Sequence, residues 1–140
     1  MREIAIDTET MGLNPHRDRL CLVQLSGGDG DAHLVKIAKP QMASPNLASL
    51  LANPQVTKLF HFARFDIASL NLGIGPLVGP IYCTKIASKL VRTYTDKHGL
   101  KDLCKETLNI DLSKQQQSSN WGAEELSEEQ KKYAASDVIY

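Results

Sequence analysis

The sequence predicts a mixed α/β fold: a three-stranded antiparallel meander joined to parallel strands, with helices flanking the sheet. Three observations carry this prediction. Residues 3–37 hold three short apolar segments separated by turn chemistry. From Ser44 onward, segments with apolar residues at helical spacing alternate with short strand-like runs, the pattern that builds parallel strands. The chain has 140 residues with 42% hydrophobic and 23% charged content, ordinary for one globular domain.

Residues 3–8 read as a strand, and Gly12-Leu13-Asn14-Pro15-His16-Arg17-Asp18 is turn chemistry. Leu20 to Leu25 is a nearly continuous apolar run, as a strand buried on both faces requires. Gly27-Gly28-Asp29-Gly30 then predicts a hairpin turn into a third strand, His33 to Ile37. Ser44-Pro45 has the form of an N-cap followed by proline at the first helical position, opening a helix through Leu47, Leu50 and Leu51 that stops before Pro54. Val56 to Phe62 reads as a strand, Phe65 to Leu72 as a helix ending near Gly73, and Ile81 to Cys83 as a short strand. Thr84 is expected to cap a helix reaching Val91. A further helix spans about 100–108, with Leu100, Leu103, Cys104, Thr107 and Leu108 on one face. Residues 112–122 are polar and read as an exposed connector. Ser127-Glu128-Glu129-Gln130 is a capping box for a last helix running to Tyr140.

The bulk numbers narrow the function classes. A chain of this size buries about 68–70% of its unfolded surface, enough for one core. Its 16 basic and 16 acidic residues cancel, which argues against coating nucleic acid by bulk charge. The charges are uneven, however. Lys85, Lys89, Arg92, Lys97, Lys101 and Lys105 cluster, while Glu124, Glu125, Glu128, Glu129 and Asp137 lie near the end. The cluster is either a solvated helix face or a basic rim where phosphates enter. Three cysteines, Cys21, Cys83 and Cys104, lack zinc-type spacing and read as reduced, buried thiols of a cytoplasmic protein. No apolar run is long enough to span a membrane.

The chemistry-bearing residues are acids. In Ile6-Asp7-Thr8-Glu9-Thr10, strand alternation points Asp7 and Glu9 to one face and Thr8 to the other. Adjacent carboxylates repel unless a cation neutralises them, and an all-oxygen donor set favours Mg2+ or Mn2+ over zinc. Asp66 follows His61-Phe62-Ala63-Arg64-Phe65 at a helix start. It serves either the helix dipole or a metal. His61 reads as a packed, hydrogen-bonded histidine. Tyr133 and Asp137 are spaced i, i+4 and share a helix face, with small Ala134, Ala135 and Ser136 letting that helix approach the sheet. An aspartate so placed needs a partner, because an unpaired buried carboxylate is costly.

In this order, Asp7-x-Glu9, Asp66 and Tyr133-x-x-x-Asp137 resemble the three motifs of the DEDD 3′→5′ exonuclease superfamily, tyrosine (DEDDy) branch. Tyr82 to Ser88, His98 to Leu103 and Gln117-Ser118-Ser119-Asn120-Trp121 resemble the ribonuclease D family in particular. The resemblance runs from about residue 3 to residue 140. Two departures stand out: His61 where the superfamily often has asparagine, and Asn120 where the family often has aspartate. The chain is expected to be a fragment or a single exonuclease domain, 1–140, without the C-terminal helical RNA-binding domains of longer ribonuclease D proteins.

The resemblance implies a ribonuclease H-like sheet, two divalent cations (Mg2+ or Mn2+) and a 3′→5′ exoribonuclease. Such an enzyme releases nucleoside 5′-monophosphates from single-stranded RNA 3′ ends, tRNA precursors among them. Asp7 is expected to bridge two ions about 3.5–4 Å apart. Glu9 and Asp137 complete the protein shell of one ion, and Asp66 helps hold the other. Tyr133 is expected to orient the attacking water, since a tyrosine with pKa near ~10 is a poor base at neutral pH. Thr10, Met11, Gly12 and Leu13 would line the terminal nucleotide, with Met11 or Leu13 wedged against its base. Lys85, Lys101, Gln117 and Trp121 are expected along the path of the strand. Alternatives are a DNA-directed exonuclease of the same chemistry and a catalytically inactive nucleic-acid-binding module.

Overall fold

The structure, a computed structural model, describes residues 1–40 and 42–140. Its five strands are β1 (Glu3–Thr10), β2 (Leu20–Ser26), β3 (His33–Lys36), β4 (Thr57–Phe60) and β5 (Ile81–Cys83). They form one sheet in the order β3-β2-β1-β4-β5. β1, β2 and β3 pair antiparallel, while β4 and β5 join in parallel, as the mixed α/β reading expects. The helices are α1 (Pro45–Ala52), α2 (Ala63–Gly73), α3 (Thr84–Val91), α4 (Leu100–Leu108) and α5 (Glu128–Ile139).

The alternation along β1 divides the molecule. Ile4, Ile6 and Thr8 are buried on one face. There Ile4 and Ile6 meet Leu47 and Leu51 of α1, Leu70 of α2, and Val23, Leu25 and Phe60 in the larger core. On the other face Cys21 and Leu22 pack with Trp121 and Ala134 under α5. β2 is buried along its whole length, which explains its near-continuous apolar sequence.

β1 continues past its last parallel partner, the Ala5–Leu59 pair. The chain leaving β4 turns directly into α2 beside the free part of β1. β1 is also where an antiparallel neighbour on one side gives way to a parallel one on the other. Such a switch opens a crevice at the carboxyl ends of the strands, and Asp7 and Glu9 stand there.

Several local readings change. β1 extends to Thr10, with a register shift between Glu9 and Thr10, so both acids lie inside the strand. Ser44 makes no side-chain cap, although Pro45 does open α1. Thr84 is the first residue of α3 rather than its cap; its hydroxyl donates to the Phe60 carbonyl. In α4 only Cys104 of the proposed face is buried, and Leu108 stays half-exposed. The α5 capping box forms as its spacing predicts: the Ser127 hydroxyl accepts from the Gln130 amide at 3.1 Å, and Gln130 Oε1 accepts from the Ser127 amide at 2.9 Å. All three cysteines are free, with Cys21 and Cys104 buried and Cys83 half-buried. Among the described residues no helix is long and apolar enough to cross a membrane.

Candidate active site

A groove of about 710 Å3 runs over the carboxyl end of β1. Asp7 and Glu9 rise from β1, and Tyr133 and Asp137 descend from α5. Carboxylate oxygens of Asp7, Glu9 and Asp137 all lie within 4.8 Å of one another. Asp66 approaches from the opposite face on the first turn of α2 and is 3% exposed. Asp7 is the shared member, close enough to hydrogen-bond with both Asp137 and Asp66.

This crowding alters the acids. Burial, opposed by the Thr8 backbone amide and by hydrogen bonds to Asp137 and Asp66, moves the Asp7 carboxyl up to about 6. Burial and then the charge of Asp7 push Glu9 up to about 9 and hold Asp66 at about 8. The same two causes raise Asp137 to about 8. Burial, then the charge of Asp137, pushes the Tyr133 hydroxyl well above its ordinary range, so it keeps its proton. None of the four acids has a Lys or Arg ion-pair partner among the described residues. A compact, all-oxygen, uncompensated acid cluster is the donor set that hard divalent cations take, and these side chains fit such a group.

Two supporting residues were not foreseen. The Thr8 hydroxyl donates to Asp66 Oδ1 at 2.5 Å. Although Thr8 points away from Asp7, it faces the side from which α2 arrives. Gln24 on β2 is fully buried, and its amide donates to Glu9 Oε1 at 3.2 Å and Asp7 Oδ2 at 3.4 Å. The pairing of Asp7 with Gln24 across the β1–β2 ladder brings the amide there. An isolated polar residue within an apolar strand is the signal that could have found it.

The expected nucleotide contacts, Thr10, Met11, Gly12, Leu13, Lys85, Lys101, Gln117 and Trp121, all line the groove. Leu13 is 86% exposed and Met11 51%, so both are free to meet a base. Glycine at 122 lets the Met11 thioether pack against the loop backbone, where a Cβ would collide with it. Trp121 is 2% exposed and stacks tilted on Tyr133 at 5.9 Å between ring centroids. Its indole therefore supports the tyrosine from behind instead of presenting a face to a strand.

Residues 112–122 form a wall of the groove through Leu112, Ser113, Lys114, Gln117, Ser118 and Ser119, so this stretch is more than a connector. Gln130 ties the wall to α5, its amide donating to Ser119 Oγ and the Asn120 carbonyl, both at 3.1 Å. The basic rim is smaller than the sequence suggested. Arg92 is buried and bound to Glu106, the Ser88 hydroxyl and the Lys97 carbonyl. Of the cluster, Lys85 and Lys101 line the groove. His61 is packed as expected, its Nδ1 lying 2.9 Å from the Thr84 hydroxyl oxygen.

Fold and acid cluster together define a 3′-5′ exonuclease domain, and the chain matches that family over residues 1–140. Within it, the chain belongs to the ribonuclease D family of the DEDD superfamily. It is 34% identical over 137 residues to ribonuclease D of Acidiphilium cryptum, covering 98% of this chain and 34% of that protein. The chain thus spans about a third of the length of that curated relative. Among solved structures it resembles NrnC of Brucella melitensis bound to pGG, with 57% identity, a TM-score of 0.96, and coverage of 100% of this chain and 68% of the other. The same protein with bound Mg2+ gives 56% identity, a TM-score of 0.94 and the same coverage.

Proposed function

We propose that residues 1–140 act as one exonuclease domain that removes nucleotides from the 3′ ends of single-stranded RNA, releasing nucleoside 5′-monophosphates. The observation that carries this reading is the sharing of Asp7 between two groups of carboxylates. Asp7, Glu9 and Asp137 meet on one side, and Asp66 approaches Asp7 from the other. Asp7, Glu9 and Asp137 would hold one Mg2+ or Mn2+ ion, and Asp7 with Asp66 a second. Two such ions supply Lewis-acid charge and an activated water for in-line phosphodiester hydrolysis.

The chain's own residues do the rest. Tyr133 remains protonated, so it orients water or a phosphate oxygen by hydrogen bonding and does not act as the base. Gln24 and Thr8 hold the carboxylates in place. Lys85 and Lys101 offset phosphate charge along the groove, and Leu13 with Met11 wedges the terminal base.

RNA as substrate is supported by the ribonuclease D relatives and by the pGG-bound neighbour. We place tRNA precursors among the substrates and the reaction in the cytoplasm, in keeping with three free cysteines. The test is digestion of 5′-labelled RNA with Mn2+, resolved on a denaturing gel beside a matched DNA. The expected result is a ladder shortening from the 3′ end on RNA, absent for Asp7→Asn, Asp66→Asn and Asp137→Asn. Faster loss of the DNA would favour a DNA-directed exonuclease. No cleavage of either would leave a binding module.

A further inference from the structure

Phe62 has no role in the chemistry above, yet its geometry is unusual. It is the residue before α2, with φ 73° and ψ 55°, a left-handed conformation. Glycine and asparagine adopt that conformation readily, whereas a bulky side chain does so at a cost. Strain of this kind persists mainly where function requires it. The ring gains no burial in return. Phe60, two residues earlier, is 1% exposed, whereas Phe62 is 48% exposed and belongs to neither core. It lines the groove four residues before Asp66. The Lys85 ammonium sits 4.3 Å from its ring centroid, a cation–π distance. Lys85 has no carboxylate partner in any ion pair of the described residues.

An exposed aromatic ring joined to an uncommitted cation, beside an acidic cluster, is the combination that grips single-stranded nucleic acid: the ring stacks a base and the cation meets the backbone. We propose that Phe62 is a base-stacking platform for a nucleotide adjoining the scissile phosphate, and that Lys85, which covers one ring face and steadies it, meets that strand's phosphate. This rests on the exonuclease reading for the placement of the phosphate. The β4–α2 junction then supplies a second apolar contact with the strand, separate from Met11 and Leu13 on the β1–β2 loop. Because every base has a π-face, the platform sets affinity without choosing among sequences.

The experiment compares wild type, Phe62→Gly and Phe62→Trp. Affinity for a 5′-fluorescein-labelled short single-stranded oligoribonucleotide is read by anisotropy in Ca2+. KM and kcat are read separately with Mn2+, and thermal midpoints by circular dichroism. Phe62→Gly is expected to weaken Kd and raise KM by about 5- to 150-fold, with kcat changed far less. Its midpoint should not fall, because glycine relieves the left-handed backbone. Phe62→Trp should restore Kd and KM. An unchanged Kd in Phe62→Gly, or a fall in midpoint and kcat with KM intact, overturns the platform. Cleavage by wild type together with an unchanged Kd in Phe62→Gly removes the platform alone. Weakened binding in that variant without cleavage by any form keeps Phe62 as a base-stacking contact but removes the exonuclease reading and, with it, the placement beside a scissile phosphate. A wild type that does not bind RNA removes both.

Discussion

Lys58 and the acid cluster both bury ionisable side chains, and they solve the problem in opposite ways. Lys58 on β4 is fully buried, and its ammonium donates to the carbonyls of Asn53 and Val78. Those bonds tie the loops after α1 and before β5 to the sheet. At the far end of the neighbouring strand, Asp7, Glu9, Asp66 and Asp137 crowd together, each pushed upward by burial. The chain supplies them with hydrogen bonds from Thr8 and Gln24 but with no opposite charge among the described residues. A buried charge whose partners all come from the chain serves the fold. A buried set of acids left without an opposite charge serves something that comes from outside.

The largest test of that contrast is Asp7→Asn. Metal catalysis is worth several kcal/mol, so kcat/KM on RNA should fall by about a thousandfold or more. The metal-free protein should gain thermal stability at pH 8, because one repelling charge is gone. Lys58→Met should behave in reverse. Two part-buried carbonyls lose their donor, which costs about 1–3 kcal/mol in denaturant unfolding, while kcat on RNA stays at the wild-type value. A Lys58 variant that lost activity without losing stability would erase the distinction between the two sites.

Gln24→Leu tests whether the acids are held as well as gathered. Its loss should weaken Mn2+ binding by about 10- to 100-fold in calorimetry, as expected for a partner that orients metal ligands. Tyr133→Phe should cost about tenfold in kcat with little change in KM, the loss of one hydrogen bond to a charged or polarised oxygen. Stability should also depend on pH. Folded-state values of about 6 to 9 lie above the ordinary 3.8 and 4.5. The metal-free folded state therefore binds more protons than the unfolded state between about pH 4 and pH 9. This contribution to stability is full below that window and is lost as pH rises through it, and saturating Mn2+ should abolish the decline. A metal-free midpoint that rises with pH across that range would contradict the raised values.

What the sequence made legible follows from range. Elements specified by local chemistry emerged close to their true bounds: the buried run of β2, the Gly28 and Gly30 turn, and the Ser127–Gln130 capping box. The clustered acids were legible because the order and spacing of their motifs survive as a pattern, even though each segment alone is ordinary. Contacts that depend on register between distant strands were not. Nothing local in Gln24 says that it faces Asp7, and nothing in Thr8 says that α2 brings Asp66 to its hydroxyl. Arg92 looked like rim because a charged residue just past a short helix usually meets solvent, whereas Glu106 of α4 and the Lys97 carbonyl fold over it. The stretch 112–122 looked like a connector because its composition is polar, a property shared by a loop that lines a groove.

The most direct measurement is a calorimetric Mn2+ titration of the metal-free protein at pH 7, run in two buffers of different ionisation enthalpy, with Asp7→Asn alongside. Carboxyls held protonated by burial must give up protons to take a cation. Wild type should therefore bind Mn2+ with proton release, and Asp7→Asn should lose most of that binding. Absence of Mn2+ binding by wild type, or binding without proton release that persists in Asp7→Asn, would contradict the account.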